Sequence, residues 1–282
     1  MSTRNPVGDE SSRSPLVGCL ILIIAVLVLV FLIVFSTLVL FRQHAEIAKF
    51  TFAEPVAIEI ASLPGNEQPL GLLAEELRRF QLALDRDETA ELRLDAAAIN
   101  LAIAAFDEFA DLRGTFRITD IGVDMMRVAI SFPLNGRPRL ARGDEPGWVA
   151  SDRMYLNGTL IARPALTNGE LVLEVIALEV EGRVVPEEFI GRLSPYRICE
   201  RYRDHAFIGP AMKRLTRVGL ADGRLVLTSI PGESPKDTIG RDQVDSAASR
   251  FFSVFAIAAS VFLVLAGSFV FIGLRARSRR SG

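Results

Sequence analysis

Two uncharged apolar runs, residues 16–41 and 251–274, bracket a polar, well-patterned segment of domain size. Each exceeds the roughly 20 apolar residues that a helix needs to cross the ~30 Å hydrocarbon core. A helix satisfies its own backbone groups in lipid, so both runs are expected to span. Two spans confine residues 42–250 to one side of the membrane as one domain.

Arginine placement orients the chain. Arg275, Arg277, Arg279 and Arg280 follow the second run with no acidic residue among them, whereas Arg4 and Arg13 are offset by Asp9 and Glu10. Positive charge stays on the cytoplasmic side, so tails 1–15 and 275–282 are expected there and the middle outside. Arg42 and Arg250 flank the outer ends, where long side chains snorkel to the headgroups. The first run is longer than a signal-peptide core, and Leu38-Val39-Leu40-Phe41 makes a poor cleavage site, which indicates an uncleaved anchor. Cys19 precedes its apolar run, the reverse of a lipoprotein processing site.

The near-neutral net charge of -2 argues against a nucleic-acid partner. The two cysteines, Cys19 in the first run and Cys199 outside it, cannot meet, so no intramolecular disulfide is expected. A domain on the oxidising side that manages without one points to a bacterial cytoplasmic membrane more than an animal cell surface.

Within the middle, Leu70, Leu73, Leu77 and Phe80 recur at helical spacing among charged residues, which predicts an amphipathic helix over 69–84. A short alternating strand at 90–94 leads to Asp95, which has the position of an N-cap for a helix over 96–109. Alternation then predicts strands over 115–123 and 126–132, an irregular Pro- and Gly-rich excursion over 133–148, and two long strands over 153–163 and 170–181. Asn168-Gly169 between the last two is a strong hairpin signal, and Asp222-Gly223 marks another between 217–220 and 224–228. Residues 56–60 have a strand-like bias, a helix is expected over 186–193 and one or two more over 196–203 and 208–215, and 230–249 reads as a linker. The fold class is therefore α+β, a long antiparallel sheet packed on helices and flanked by two transmembrane helices.

Candidates for chemistry are few. The two histidines, His44 and His205, come without C-x-x-C or H-E-x-x-H spacing, so no metal or cofactor is implied. Cys199 and His205 are the one conceivable thiol–imidazole pair, but six residues apart on a helix they would point about 240° apart. No nucleophile–base pair can be nominated, and the chain reads as non-catalytic. Arg197, Arg201 and Arg214, in the arginine-rich stretch of 192–217, are candidate contacts for an anionic surface. Glu187, Glu188, Glu200 and Asp204 favour instead an ordinary solvated face. Ala256, Ser260 and Gly267 form a small-residue stripe suited to helix packing in the membrane.

Asp95, Ile99-Asn100, Leu171-Val172-Leu173, Val184-Val185-Pro186 and Asp222-Gly223-Arg224-Leu225 occur in an order similar to the YpmS-type family of bacterial membrane-anchored proteins. Asn100 and Pro186 are the first positions to match. More distantly the order resembles the tubular lipid-binding (TULIP-like) domains, in which a long curved sheet wraps a helix around an apolar groove. The YpmS-type family usually carries one N-terminal span, whereas two are expected here. The resemblance, over about residues 89–229, implies a groove lined by Ile99, Ile103 and Phe106 of one helix. Met154, Leu156, Leu160, Leu171, Leu173 and Val175 of two strands would complete it. The expected function is a membrane-anchored module that binds an apolar, lipid-like ligand or a protein partner. The alternative is a sensor or accessory subunit that acts through contacts between transmembrane helices.

Overall fold

Helix α1 (Pro15–Ala48) opens the computed structural model, which describes residues 15–236. Its segment Val26–Ala48 has a mean hydropathy of 2.4 and is long and apolar enough to cross a membrane. The run at 251–274, with Ala256, Ser260 and Gly267, lies outside the described residues. The chain divides into two compact units, one of which is His44–Ala248. The last turn of α1 belongs to it. Ile47 packs on the main core, Phe50 is fully buried, and the Thr51 hydroxyl donates to the Ile47 carbonyl at 2.9 Å.

Four antiparallel strands make the larger sheet in simple meander order: β2 (Phe116–Ile121), β3 (Met126–Leu140), β4 (Val149–Thr167) and β5 (Glu170–Glu179). A smaller sheet has the order β1 (Ala90–Leu94), β7 (Arg224–Ser229), β6 (Arg217–Ala221). Both expected turns form. Asn168 and Gly169 have φ of 49° and 70°, and Asp222 and Gly223 have 52° and 69°, the left-handed pair that two-residue hairpins demand. β1 alternates with Ala90, Leu92 and Leu94 inside and Glu91 and Arg93 outside.

Several expectations need correction. The stretch 133–148 is not an excursion throughout, because β3 continues to Leu140 and pairs with β4 as far as Leu140–Val149. Its prolines are tolerated because β2 covers β3 only up to Ile130, so Pro133 and Pro138 lie where β3 has a single neighbour and an open edge. Residues 56–60 are not a strand. Val56 and Ile60 are exposed, and the segment is held instead by Asn157, whose amide accepts from the Val56 N–H and donates to the Glu54 carbonyl. The helix expected over 96–109 stops at Ala105 as α3 (Ala96–Ala105), followed by a 3₁₀ turn at Asp107–Leu112. Arg113 accounts for the break: its guanidinium donates to the carbonyls of Ile103 and Phe106, taking over acceptors that a continuing helix would use.

Helix α3 begins at the expected cap, with the Ala98 N–H donating to Asp95 Oδ1 at 2.8 Å. It is apolar on all sides because it lies between two halves of the interior. Toward the large sheet, Ile103 joins Phe116, Ile118, Val128 and Leu160; on the other side Leu101 and Ala102 meet Leu73, Leu92 and Leu94. Helix α2 (Glu67–Asp85) supplies that second half, burying Leu73 and Leu84 on the stripe legible in its sequence. Helices α4 (Glu187–Leu193) and α5 (Ile208–Lys213) are short, and between them residues 196–203 form only a 3₁₀ turn at Glu200–Tyr202.

Candidate functional site: an apolar cavity between the two sheets

A cavity of about 470 Å³ opens at the seam between the two halves of the core. Its floor and walls come from α2 and α3, the 3₁₀ turn at Asp107–Leu112, one end of each sheet, and residues 198–215. The lining is almost wholly aliphatic and aromatic; the polar side chains among the described residues that reach it are Gln81, Glu108, Cys199, Tyr202 and His205. That volume lies within the ~300–1,000 Å³ range of small-molecule pockets.

The exposed lining residues mark the mouth. Glu108 and Phe207 are exposed, the latter to 67 %, and Leu77, Phe80, Gln81, Phe109 and His205 are half-exposed. They sit on three segments: the C-terminal half of α2, the 3₁₀ turn, and the loop before α5. The Arg214 guanidinium donates to the Leu84 carbonyl, which ties the C-terminal end of α2 to the end of α5. A cation at that end also suits the helix dipole.

Five of the sequence-derived groove residues are brought together here: Ile99, Ile103, Phe106, Leu171 and Leu173 all line the cavity. The other four are placed elsewhere. Leu156, Leu160 and Val175 are buried in the main cluster with Phe50, whose ring packs 4.7 Å from that of Phe189. Met154 accepts a long 3.8 Å contact from the Thr51 hydroxyl. The end of α1 and α4 thus fill that stretch of the β4 face. Sequence reasoning missed the opposite wall, including Phe207, Ile208 and Met212, because these residues lie on loops and one short helix with too little length for a periodicity.

The three candidate anion-contacting arginines are engaged inside the domain. Arg197 donates to Glu170 at 2.6 Å and to Glu200 at 2.8 Å, Arg201 to Asp111, and Arg214 to Leu84. Glu170 is almost fully buried and also accepts from Arg203 at 2.8 Å. These bonds anchor the 198–215 wall to β5.

Asp111 accepts from Arg201 and, at 2.9 Å, from the Tyr202 hydroxyl. Burial pushes its carboxyl up, but the bonds from Arg201 and Tyr202 outweigh that and hold it below the usual range. A folded-state pKa below the unfolded value means that the stabilisation is fully present above about pH 4 and is lost as pH falls through the folded value. The carboxylate is nearly half exposed, so its contribution is expected to be about 1 kcal/mol or less. Urea unfolding of wild type and Asp111→Asn should therefore differ at pH 6 and converge toward pH 2. A gap that stays constant over that range would contradict the ion-pair account.

Cys199 is the free thiol outside the first apolar run. Burial, helped by the charge of Glu170, pushes it up to about 12. Because 196–203 is no continuous helix, the helical-angle argument separating Cys199 from His205 does not apply; both line the same cavity. A thiol so high is protonated at neutral pH and a poor nucleophile. In a Cys19→Ser background, iodoacetamide at pH 8 should alkylate Cys199 on the order of 10³-fold more slowly than it does in urea. Equal rates in the two conditions would show that the thiol is neither buried nor raised.

His205 Nδ1 accepts from the backbone N–H groups of Phe207 and Ile208 at 3.3 and 3.4 Å. In the neutral ring the proton therefore sits on Nε2. Among the described residues no group of three or more His, Cys, Asp or Glu is placed to hold a metal ion.

The chain matches no family model, no curated protein and no solved structure.

Proposed function

We propose that the domain is a membrane-anchored, extracytoplasmic binding module that holds an apolar, lipid-like ligand and does not turn it over. One observation carries this reading, the apolar cavity of about 470 Å³. Apolar surface left facing water costs about 25 cal/mol per Å², and an apolar occupant of the cavity removes that cost. The chemistry of the lining agrees: a raised thiol, a tyrosine hydroxyl donated to Asp111 and an imidazole tied to the backbone offer binding surface and no activated nucleophile.

Anchoring follows from the hydropathy of α1 together with the run at 251–274 and the flanking arginines. We place both termini in the cytoplasm of a bacterial cell and the domain outside its cytoplasmic membrane. Only residues 42–46 separate the first apolar run from Ile47, which packs on the core. The order of motifs resembles that of the YpmS-type family and, more distantly, of the TULIP-like lipid-binding domains, and the latter resemblance implies an apolar groove.

The test is equilibrium binding of the apolar fluorophore N-phenyl-1-naphthylamine to the full chain in lipid nanodiscs, with empty nanodiscs subtracted. Saturable binding of about one fluorophore per chain is expected. A signal no greater than that of empty nanodiscs would overturn the reading. It would also turn attention to the sensor-subunit alternative and its stripe of Ala256, Ser260 and Gly267.

A further inference from the structure

The mouth of the cavity has a charge character that restricts what can enter it. Its ionisable rim side chains are Glu108, on the 3₁₀ turn, and His205, on the loop before α5. No lysine or arginine is among the described residues that line the cavity. Guanidinium groups are nearby in the chain, and each is engaged by a group inside the domain. Arg113 donates to Ile103, Phe106 and Asp107, Arg201 to Asp111, Arg203 to Glu170, and Arg214 to Leu84. Arg78 and Arg79 lie on α2 and are exposed, and neither is among the residues that line the cavity.

What the rim does offer is hydrogen bonding from His205, Gln81 and Glu108. With its Nδ1 held by the Phe207 and Ile208 N–H groups, the neutral ring of His205 presents Nε2–H as a donor. Gln81 uses its amide nitrogen on Asp85 at 3.0 Å and retains its carbonyl oxygen as an acceptor. Glu108 supplies two acceptor oxygens and a negative charge. A hydroxyl-bearing polar end can donate to Glu108 or Gln81 and accept from His205. A carboxylate or phosphate arriving at the same place meets a like charge, and no lysine or arginine among the described lining residues pairs with it.

We propose that the cavity selects amphiphiles whose polar end is an uncharged hydroxyl or ester, of the monoacylglycerol class, against those ending in a carboxylate or phosphate. This rests on the binding reading above and narrows it to a ligand class.

The experiment uses the full chain in phosphatidylcholine nanodiscs at pH 8, above the usual imidazole range. Two probes are compared at equal mole fraction: a monoacylglycerol with a diazirine in its acyl chain, and the free fatty acid with the same chain. After irradiation, cross-linked peptides are mapped by mass spectrometry, with Ala102→Phe as the blocked-cavity control. The monoacylglycerol is expected to label peptides of α2, α3 and residues 205–215 at least about tenfold more than the fatty acid. Glu108→Lys, an exposed position, is expected to raise fatty-acid labelling and close most of that gap. Equal labelling by the two probes, or a preference for the fatty acid, would overturn the selectivity while leaving a binding cavity in place. So would an unchanged ratio in Glu108→Lys. Absence of cavity labelling by either probe, or labelling undiminished in Ala102→Phe, would overturn the binding reading itself.

Discussion

Ala102→Phe is expected to abolish ligand binding while leaving the domain folded and up to about 1–2 kcal/mol more stable. Ala102 is buried on α3, yet it lines the cavity, so its side of the helix faces space as well as packed atoms. A phenyl ring grown from that position enters the volume an acyl chain would occupy and gains dispersion contacts with the aliphatic walls. Leu160→Ala is the matching contrast. Leu160 is completely buried in the main cluster, does not line the cavity, and pairs with Val128 and Leu178 on its neighbouring strands. Its truncation is expected to cost about 2–5 kcal/mol in a closed core and to leave binding intact wherever the domain remains folded. Chemical denaturation and fluorophore titration on both variants separate occupancy from stability. If Ala102→Phe destabilised the domain by several kcal/mol, the space beside α3 would be packed core, and the cavity would not be a binding site.

Asn100→Ala is expected to destabilise the domain by about 2–4 kcal/mol, a large effect for an exposed-to-buried boundary position on a helix. The cause is a pairing that stands in for a missing strand. Asn100 Oδ1 accepts from the Ile118 N–H at 2.9 Å, and its Nδ2 donates to the Ile118 carbonyl at 2.7 Å. Ile118 is buried on β2, the outer strand of the large sheet, so its backbone groups would otherwise be lost to water without a partner. The asparagine amide satisfies both and locks α3, one wall of the cavity, to the sheet edge. Asn100→Asp keeps the acceptor but places a carboxylate against the Ile118 carbonyl, so it should rescue little or nothing. Thermal unfolding checks this. Wild-type-like stability of the alanine variant would mean that α3 is held by its apolar contacts alone.

The sequence carried local chemistry well where one residue type had one physical use. Asp95 caps α3, Asn168-Gly169 and Asp222-Gly223 turn their hairpins, and the apolar stripe of α2 faces inward, each as its residue pattern requires. Features decided by distant partners were not legible. The prolines of β3 suggested a break, but whether a proline breaks a strand depends on which neighbour its missing N–H would have faced. The end of α3 depends on a guanidinium folding back from Arg113, which no periodicity reports.

The cavity itself is the clearest case. Leu160 and Leu173 share the same strand alternation, yet one is sealed in the core and the other borders open volume. Apolar periodicity says which side chains turn inward; it does not say whether they meet across the interior. That depends on the lengths of α3 and the 3₁₀ turn and on how the 198–215 wall is pinned to Glu170 and Asp111. The arginines in that stretch read as a solvated face with an anionic surface as the alternative; in the fold Arg197, Arg201 and Arg203 make ion pairs that fasten the wall.

The most direct test of a ligand-holding domain is native mass spectrometry of the intact chain ejected from membrane vesicles, alongside Ala102→Phe prepared the same way. A single apolar species bound one-to-one to wild type and missing from Ala102→Phe is the predicted result. A wild-type chain that emerges with no stoichiometric ligand, or with the same adduct as Ala102→Phe, would contradict it.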